Sequence, residues 1–203
     1  NKHQKIINDL DLISPYDYSI FSKQTFLRPY NGKVIKAVDF ELSRGCIYTC
    51  SYCVETVIQK YYGFNEKNKK GTLISAKSYL RNKSAKVIFK EIENLNKDFD
   101  IELFRCQDTN FLTIDRKMLT ELAEYINTSK LKIKLYIETR AEGINEASIK
   151  ILKKLKIDGV GMGLELSSGD FRELSLNRFV DNKKIVKAFK LLKKNKINTT
   201  AYN

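Results

Sequence analysis

The chain has 203 residues, 42% of them hydrophobic, enough to enclose one substantial core, and is expected to fold as one globular domain or a large piece of one. No apolar run approaches the roughly 18 residues of a membrane span, and the first residue is Asn1; this reads as a cytoplasmic protein with no signal peptide, anchor or membrane partner. The formal net charge of +13 would suit a polyanion, but the excess is mostly lysine spread over helix-like segments at 150–156 and 183–196, while arginine, the more specific phosphate reader, is sparse. Solvated helix faces are therefore favoured over a nucleic-acid surface.

In chain order, residues 1–33 carry turn signals at 14–17 and 29–32 with little periodicity, and read as a lead-in. From Val34 the pattern becomes short apolar strands alternating with amphipathic helices, the signature of a parallel α/β sheet or barrel. Strands are predicted at 37–42, 101–106, 133–139, 160–166 and 197–202. A helix from Arg116 would bury Met118, Leu119, Leu122, Ala123 and Ile126 behind an Asp115 cap. Asn145 would cap a second helix through Ile149, Ile151, Leu152 and Leu155, and Asn182 a third through Ile185, Val186, Phe189 and Leu192. Residues 54–84 are weakly patterned and are expected to cover a site. A closed eight-stranded barrel takes about 250 residues, so a partial α/β barrel, truncated after about the fifth strand, is expected over residues 34–203.

Three of the four cysteines, Cys46, Cys50 and Cys53, fall in one C-x-x-x-C-x-x-C window directly after the first predicted strand. Thiolates are soft ligands that iron-sulfur clusters and zinc both accept. A structural zinc site wants four protein ligands. Here the other candidates are His3, far from the loop, and Cys106, which ends the second predicted strand and is either a fourth ligand or a small buried hydrophobe. Three cysteines on a four-iron cluster would leave one iron open to a chelating amino and carboxylate group.

The spacing from Cys46 to Cys53, with the aromatic Tyr52 before the last cysteine, resembles the signature of the radical S-adenosylmethionine (SAM) superfamily. The resemblance extends from about Pro15 to Asn203. Residues 26–33 and 43–46 are similar to the start of the radical domain in the cobalamin-binding branch, and residues 107–111, 137–140, 161–169 and 176–178 are similar to later segments of the family. It implies a [4Fe-4S] cluster on Cys46, Cys50 and Cys53, and reductive cleavage of SAM to methionine and a 5′-deoxyadenosyl radical. Hydrogen abstraction or cobalamin-assisted methyl transfer on an unidentified substrate would follow. It also implies an electron donor such as flavodoxin or ferredoxin, and cobalamin held by a domain outside this chain.

By the same resemblance Tyr52 would lie near the adenine, Glu138 and Glu165 would be polar contacts to the cofactor, and Arg178 would partner its carboxylate; Asn203 is a weak match to a further contact. Each has a plainer reading. Glu138 and Arg140 would make a strand-end ion pair, Arg178 would be an exposed helix-end charge, Gly161 and Gly163 would mark tight strand packing, and Asp108 would cap a turn. The second strand lacks the glycine-rich acidic motif of many radical enzymes, so the amino-group contact stays unassigned. Two other classes remain: an RNA-modifying radical enzyme of the methylthiotransferase kind, for which the basic charge would matter, and a non-catalytic zinc-binding module.

Overall fold

The computed structural model describes residues 5–203, so His3 lies outside the described residues. Asn31 and Gly32 both take positive φ, 50° and 73°, as a two-residue hairpin turn demands. They join β1 (Leu27–Tyr30) to β2 (Lys33–Phe40) as an antiparallel pair. A two-residue strand β3 (Ser43–Arg44) and the cysteine loop lead into α1 (Val54–Tyr61), and the chain returns through β4 (Arg81–Asn82), which pairs with β3. The alternation then becomes regular: α2 (Ala85–Phe99), β5 (Leu103–Cys106), α3 (Arg116–Thr128), β6 (Lys134–Thr139), α4 (Glu146–Lys154), β7 (Ile157–Gly163), α5 (Gly169–Leu174), α6 (Asn182–Lys194) and β8 (Asn198–Tyr202).

The main sheet has the order β1-β2-β5-β6-β7-β8, parallel from β2 onward, and it curls into a half-barrel. The expected partial barrel is therefore present, with five parallel strands. The lead-in contributes more than turns, because β1 makes the sheet mixed. Helices α2, α3, α4 and α6 cover the outer face, packing Ile88, Ile92, Leu122, Leu152 and Leu192 against Phe104, Ile137 and Val160.

Asp115 and Asn145 cap α3 and α4 as expected. For α6 the cap is Asp181, not Asn182. The Asn182 carboxamide is taken elsewhere, accepting from Arg172 Nη2 and donating to the Ser167 carbonyl. Val186, expected in the core, is exposed. The fourth parallel strand lies three residues earlier than predicted, because Glu165 adopts φ 64° and ends the extended run. Helix α2, capped by Ser84, lies outside the helices predicted by residue, although Ile88, Ile92 and Leu95 carry helical spacing.

Residues 54–84 look weakly patterned for a physical reason. Helix α1 buries its polar face, with Glu55 and Gln59 8% and 1% exposed, and turns Val54 and Val57 outward at 69% and 65%. The segment is also tied to the barrel by a buried ion pair, Lys83 Nζ to Glu91 at 2.8 Å. On the inner face of the sheet Gly161 leaves room that nothing larger could share: a Cβ there would come within 2.6 Å of Tyr136 Oη and of the Tyr202 ring. Among the described residues no helix is long and apolar enough to cross a membrane.

Candidate active site

The loop between β3 and α1 presents the three clustered thiols at the C-terminal ends of the parallel strands, where the connecting loops of such barrels converge. Four separate segments fix it. Asp108 Oδ1, just after β5, accepts from the Leu42 and Ser43 amides at 3.1 and 2.6 Å and from Ser43 Oγ. Gln59 Nε2 on α1 donates to the carbonyls of Cys46 and Tyr48 at 2.8 and 2.9 Å. Asn177 Nδ2, beyond α5, donates to both oxygens of Thr49 at 2.7 Å. Arg140, after β6, donates to Cys50 Sγ at 3.0 Å. Gly45, at φ 99°, allows the backbone carbonyl of Tyr79 to pass close behind Cys46.

Cys46, Cys50 and Cys53 line one cavity of roughly 180 Å³. Its other walls include Tyr52, Glu138, Glu165 and Arg178, so the three thiols and the four cofactor contacts expected by resemblance meet there, Asn203 excepted. Burial pushes the Cys46 thiol up to about 12 and also raises Cys53, so metal binding at this loop must release protons. Cys106 is fully buried among the core side chains of the outer face and is absent from the cavity wall, which settles its place as a small core residue. Among the described residues, no three His, Cys, Asp or Glu side chains converge as a cage for a single metal ion.

Two of the plainer readings are corrected. Arg178 is not an exposed helix-end charge. It is 3% exposed, donates to the Gly163 carbonyl at 2.5 Å and to Tyr52 Oη at 3.2 Å, and pairs with Glu165 at 3.3 Å. Glu138 and Arg140 form no strand-end pair: Arg140 pairs with Glu142, while Glu138 accepts from Tyr202 Oη at 3.2 Å. The expected turn cap at Asp108 proves to be a cap on the β2–β3 corner instead, and burial raises its carboxyl to about 6 despite the hydrogen bonds that favour its charged form. Asn203 is exposed and does not line the cavity.

The structure adds residues that sequence reasoning passed over. Tyr202 lines the cavity and shares a hydrogen bond of 2.8 Å with Tyr136; in the sequence it reads only as the end of a strand. Gln59 and Asn177 are polar residues with no pattern that marks them as buried donors. The Arg178 side chain keeps Nε buried without a partner, and the cavity has a carboxylate at Glu138 whose Oε1 accepts from the Tyr202 phenol, so the wall opposite the thiols holds both signs of charge.

The family model described as the Radical SAM superfamily matches residues 40–203. Among curated proteins, the chain is 30% identical over 193 residues to the radical SAM cyclopropyl synthase TigE of Paramaledivibacter caminithermalis, covering 92% of this chain and 38% of that protein. It is 27% identical over 197 residues to the anaerobic magnesium-protoporphyrin IX monomethyl ester cyclase of Rubrivivax gelatinosus, covering 96% of this chain and 31% of that one. The chain thus spans about a third of the length of these relatives. Among solved structures, the radical SAM methyltransferase TsrM from Kitasatospora setae, with cobalamin and a [4Fe-4S] cluster bound, superposes with a TM-score of 0.63 at 15% identity, over 82% of this chain and 28% of that one. The cobalamin-dependent SAM radical enzyme OxsB gives 0.58 at 19%, over 80% and 23%. At these identities the two structures speak for the fold alone. With the thiol loop seated at the mouth of this half-barrel and the family model matching four-fifths of the sequence, the chain belongs to the radical SAM superfamily.

Proposed function

We propose that this chain is the cluster- and SAM-binding part of a radical enzyme, with Cys46, Cys50 and Cys53 as ligands of a [4Fe-4S] cluster. The observation that carries the reading is the single cavity lined by three thiols on one wall and by Tyr52, Glu138, Glu165 and Arg178 on the others. The donor set suits the group. Three thiols on one wall are soft donors that suit an iron-sulfur cluster, whereas a structural zinc site wants four protein ligands, and a cluster with three protein ligands keeps an iron for an exogenous one. When bound, the cluster supplies one electron to the sulfonium of SAM, which gives methionine and the 5′-deoxyadenosyl radical.

The chain's own residues bind and orient. Arg178, fixed by the Gly163 carbonyl and Glu165, offers a guanidinium to a carboxylate. Glu138 and Glu165 provide acceptors for an ammonium or for ribose hydroxyls. Gly161 lets Tyr202, hydrogen-bonded to Tyr136, lie directly against the inner face of β7, where Gly161 and Tyr202 together form part of the cavity wall. Tyr52, half exposed at the rim and held by Arg178, is placed to flank an aromatic base and to help exclude water.

Substrate, electron donor and reaction subclass belong to the longer proteins that this chain matches in part. A reducing, cytoplasmic setting suits the thiol set, and a low-potential donor of the flavodoxin or ferredoxin kind is the partner proposed. The cobalamin named for TsrM and OxsB would be held by a domain outside residues 1–203.

The test is SAM binding and cleavage by the anaerobically reconstituted protein, with Arg178→Gln as the comparison. Tight binding and release of 5′-deoxyadenosine on reduction with dithionite, both lost in the variant, is the expected result. Reconstituted protein that neither binds nor cleaves SAM overturns the reading.

A further inference from the structure

The thiols in the cavity differ in their hydrogen-bond donors. Cys46 Sγ faces the amide of Tyr48, and Cys53 faces the amide of Glu55, both neutral donors. Cys50 faces a cation: Arg140 Nη1 lies 3.0 Å from its sulfur. That guanidinium is 7% exposed in residue terms, lies 3.8 Å over the Tyr48 ring, and is held from behind by Glu142, whose Oε1 accepts from Nε at 3.0 Å and also from Nη2. Glu142 Oε2 is buried with no hydrogen-bond partner, so the carboxylate has no competing contact to draw it away from Arg140.

Resting on the cluster reading above, we propose that Arg140 is a positioning residue that sets the reduction potential of the cluster through its hydrogen bond to Cys50. Reduction by an external low-potential donor adds one electron, and part of that charge resides on the thiolate sulfurs. A buried cationic donor stabilises the reduced form more than the oxidised one and makes reduction easier. Low local polarity strengthens the effect, and the stacking on Tyr48 with the tether to Glu142 fixes the direction of the N–H. Glu142, a buried anion bound to the Nε and Nη2 side of the guanidinium, opposes Arg140 and trims its influence. The pair therefore acts as an oriented dipole with its positive end on Cys50.

Two substitutions move the potential in opposite directions. Arg140→Gln removes the positive end and is expected to make reduction about tenfold less favourable, a fall of about 59 mV for a one-electron couple. Glu142→Gln removes the opposing charge and is expected to raise the potential. The measurement is an anaerobic dithionite titration of the reconstituted protein followed by electron paramagnetic resonance, with SAM affinity determined in parallel. Opposite shifts support the proposal, and the parallel SAM affinities separate a change at the cluster from one at the cofactor contacts. Should Arg140→Gln fail to fold or load iron, the rise in Glu142→Gln carries the test on its own. Unmoved potentials, shifts of the same sign that mark a merely loosened site, or weakened SAM binding at unmoved potential overturn it. A wild type that takes up no cluster overturns the cluster reading itself, which is a separate and recognisable outcome.

Discussion

Gln59→Leu isolates how the thiol loop is held. The side chain is 1% exposed, and its amide donates to two carbonyls, those of Cys46 and Tyr48, at 2.8 and 2.9 Å. Leucine keeps the volume and removes both donors in a place that water does not reach. Each stranded buried carbonyl costs about 1–3 kcal/mol, so the variant should lose roughly 2–6 kcal/mol. At about 2–4 °C per kcal/mol for a domain of this size, its melting point should fall by roughly 4–24 °C. Circular dichroism on the metal-free protein reads that fall, and iron content after reconstitution reads the consequence for Cys46. Gln59→Glu, which sets an acceptor against two acceptors, should be at least as damaging, while Lys60→Gln on the exposed face should stay within about 0.5 kcal/mol of wild type. A Gln59→Leu protein that melts like wild type and loads iron fully would refute the argument that this buried donor organises the loop.

Cys106→Ala should leave iron and sulfide content unchanged at a cost of about 1 kcal/mol of stability from the small cavity, whereas alanine at Cys46, Cys50 or Cys53 should abolish cluster uptake; metal analysis separates the two outcomes. Gly161→Ala should fold yet lose SAM affinity, because its Cβ would push Tyr136 and Tyr202 into the cavity, and unchanged affinity by calorimetry would sink that view. Asp108 titrates near 6 in the folded protein and near 3.9 when unfolded, so the folded state holds the extra proton between these values. Stability should then decline on the order of 2–3 kcal/mol as pH rises from about 4 to 6, and Asp108→Asn should flatten that slope in denaturant titrations. Lys83→Met should cost about 3–5 kcal/mol by leaving Glu91 buried and unpaired, and Lys83→Met combined with Glu91→Leu should recover most of it.

The site was most legible where chemistry depends on spacing. Cys46, Cys50 and Cys53 are close in sequence, and a loop that follows a strand brings such neighbours to one place. The central strands β5, β6 and β7 were legible as apolar runs because most of their residues are buried, whereas β8 is exposed throughout, and the errors in strand bounds came from backbone features with no apolar signal. The turn of Glu165 to positive φ moved the end of β7, and the Asn31-Gly32 hairpin drew β1 into the sheet from a segment with little periodicity. Helix α1 was hidden because its buried side is polar: Glu55 meets Tyr79 at 2.5 Å, and Gln59 meets the thiol loop. Nothing in a sequence distinguishes such residues from solvated ones until the partners arrive from elsewhere in the chain. Arg140 shows the same limit. Its position beside Glu138 suggests a strand-end pair, whereas the turn into Glu142 redirects it 90 residues back to Cys50.

The central claim is that Cys46, Cys50 and Cys53 hold a cluster with an iron open to SAM. Electron paramagnetic resonance of the reduced, anaerobically reconstituted protein tests it most directly, with and without SAM and beside Cys50→Ala. The account predicts a cluster signal in the wild type that changes when SAM is added and is lost in the variant. Uptake of one zinc and no cluster, or a cluster signal indifferent to SAM, would contradict it.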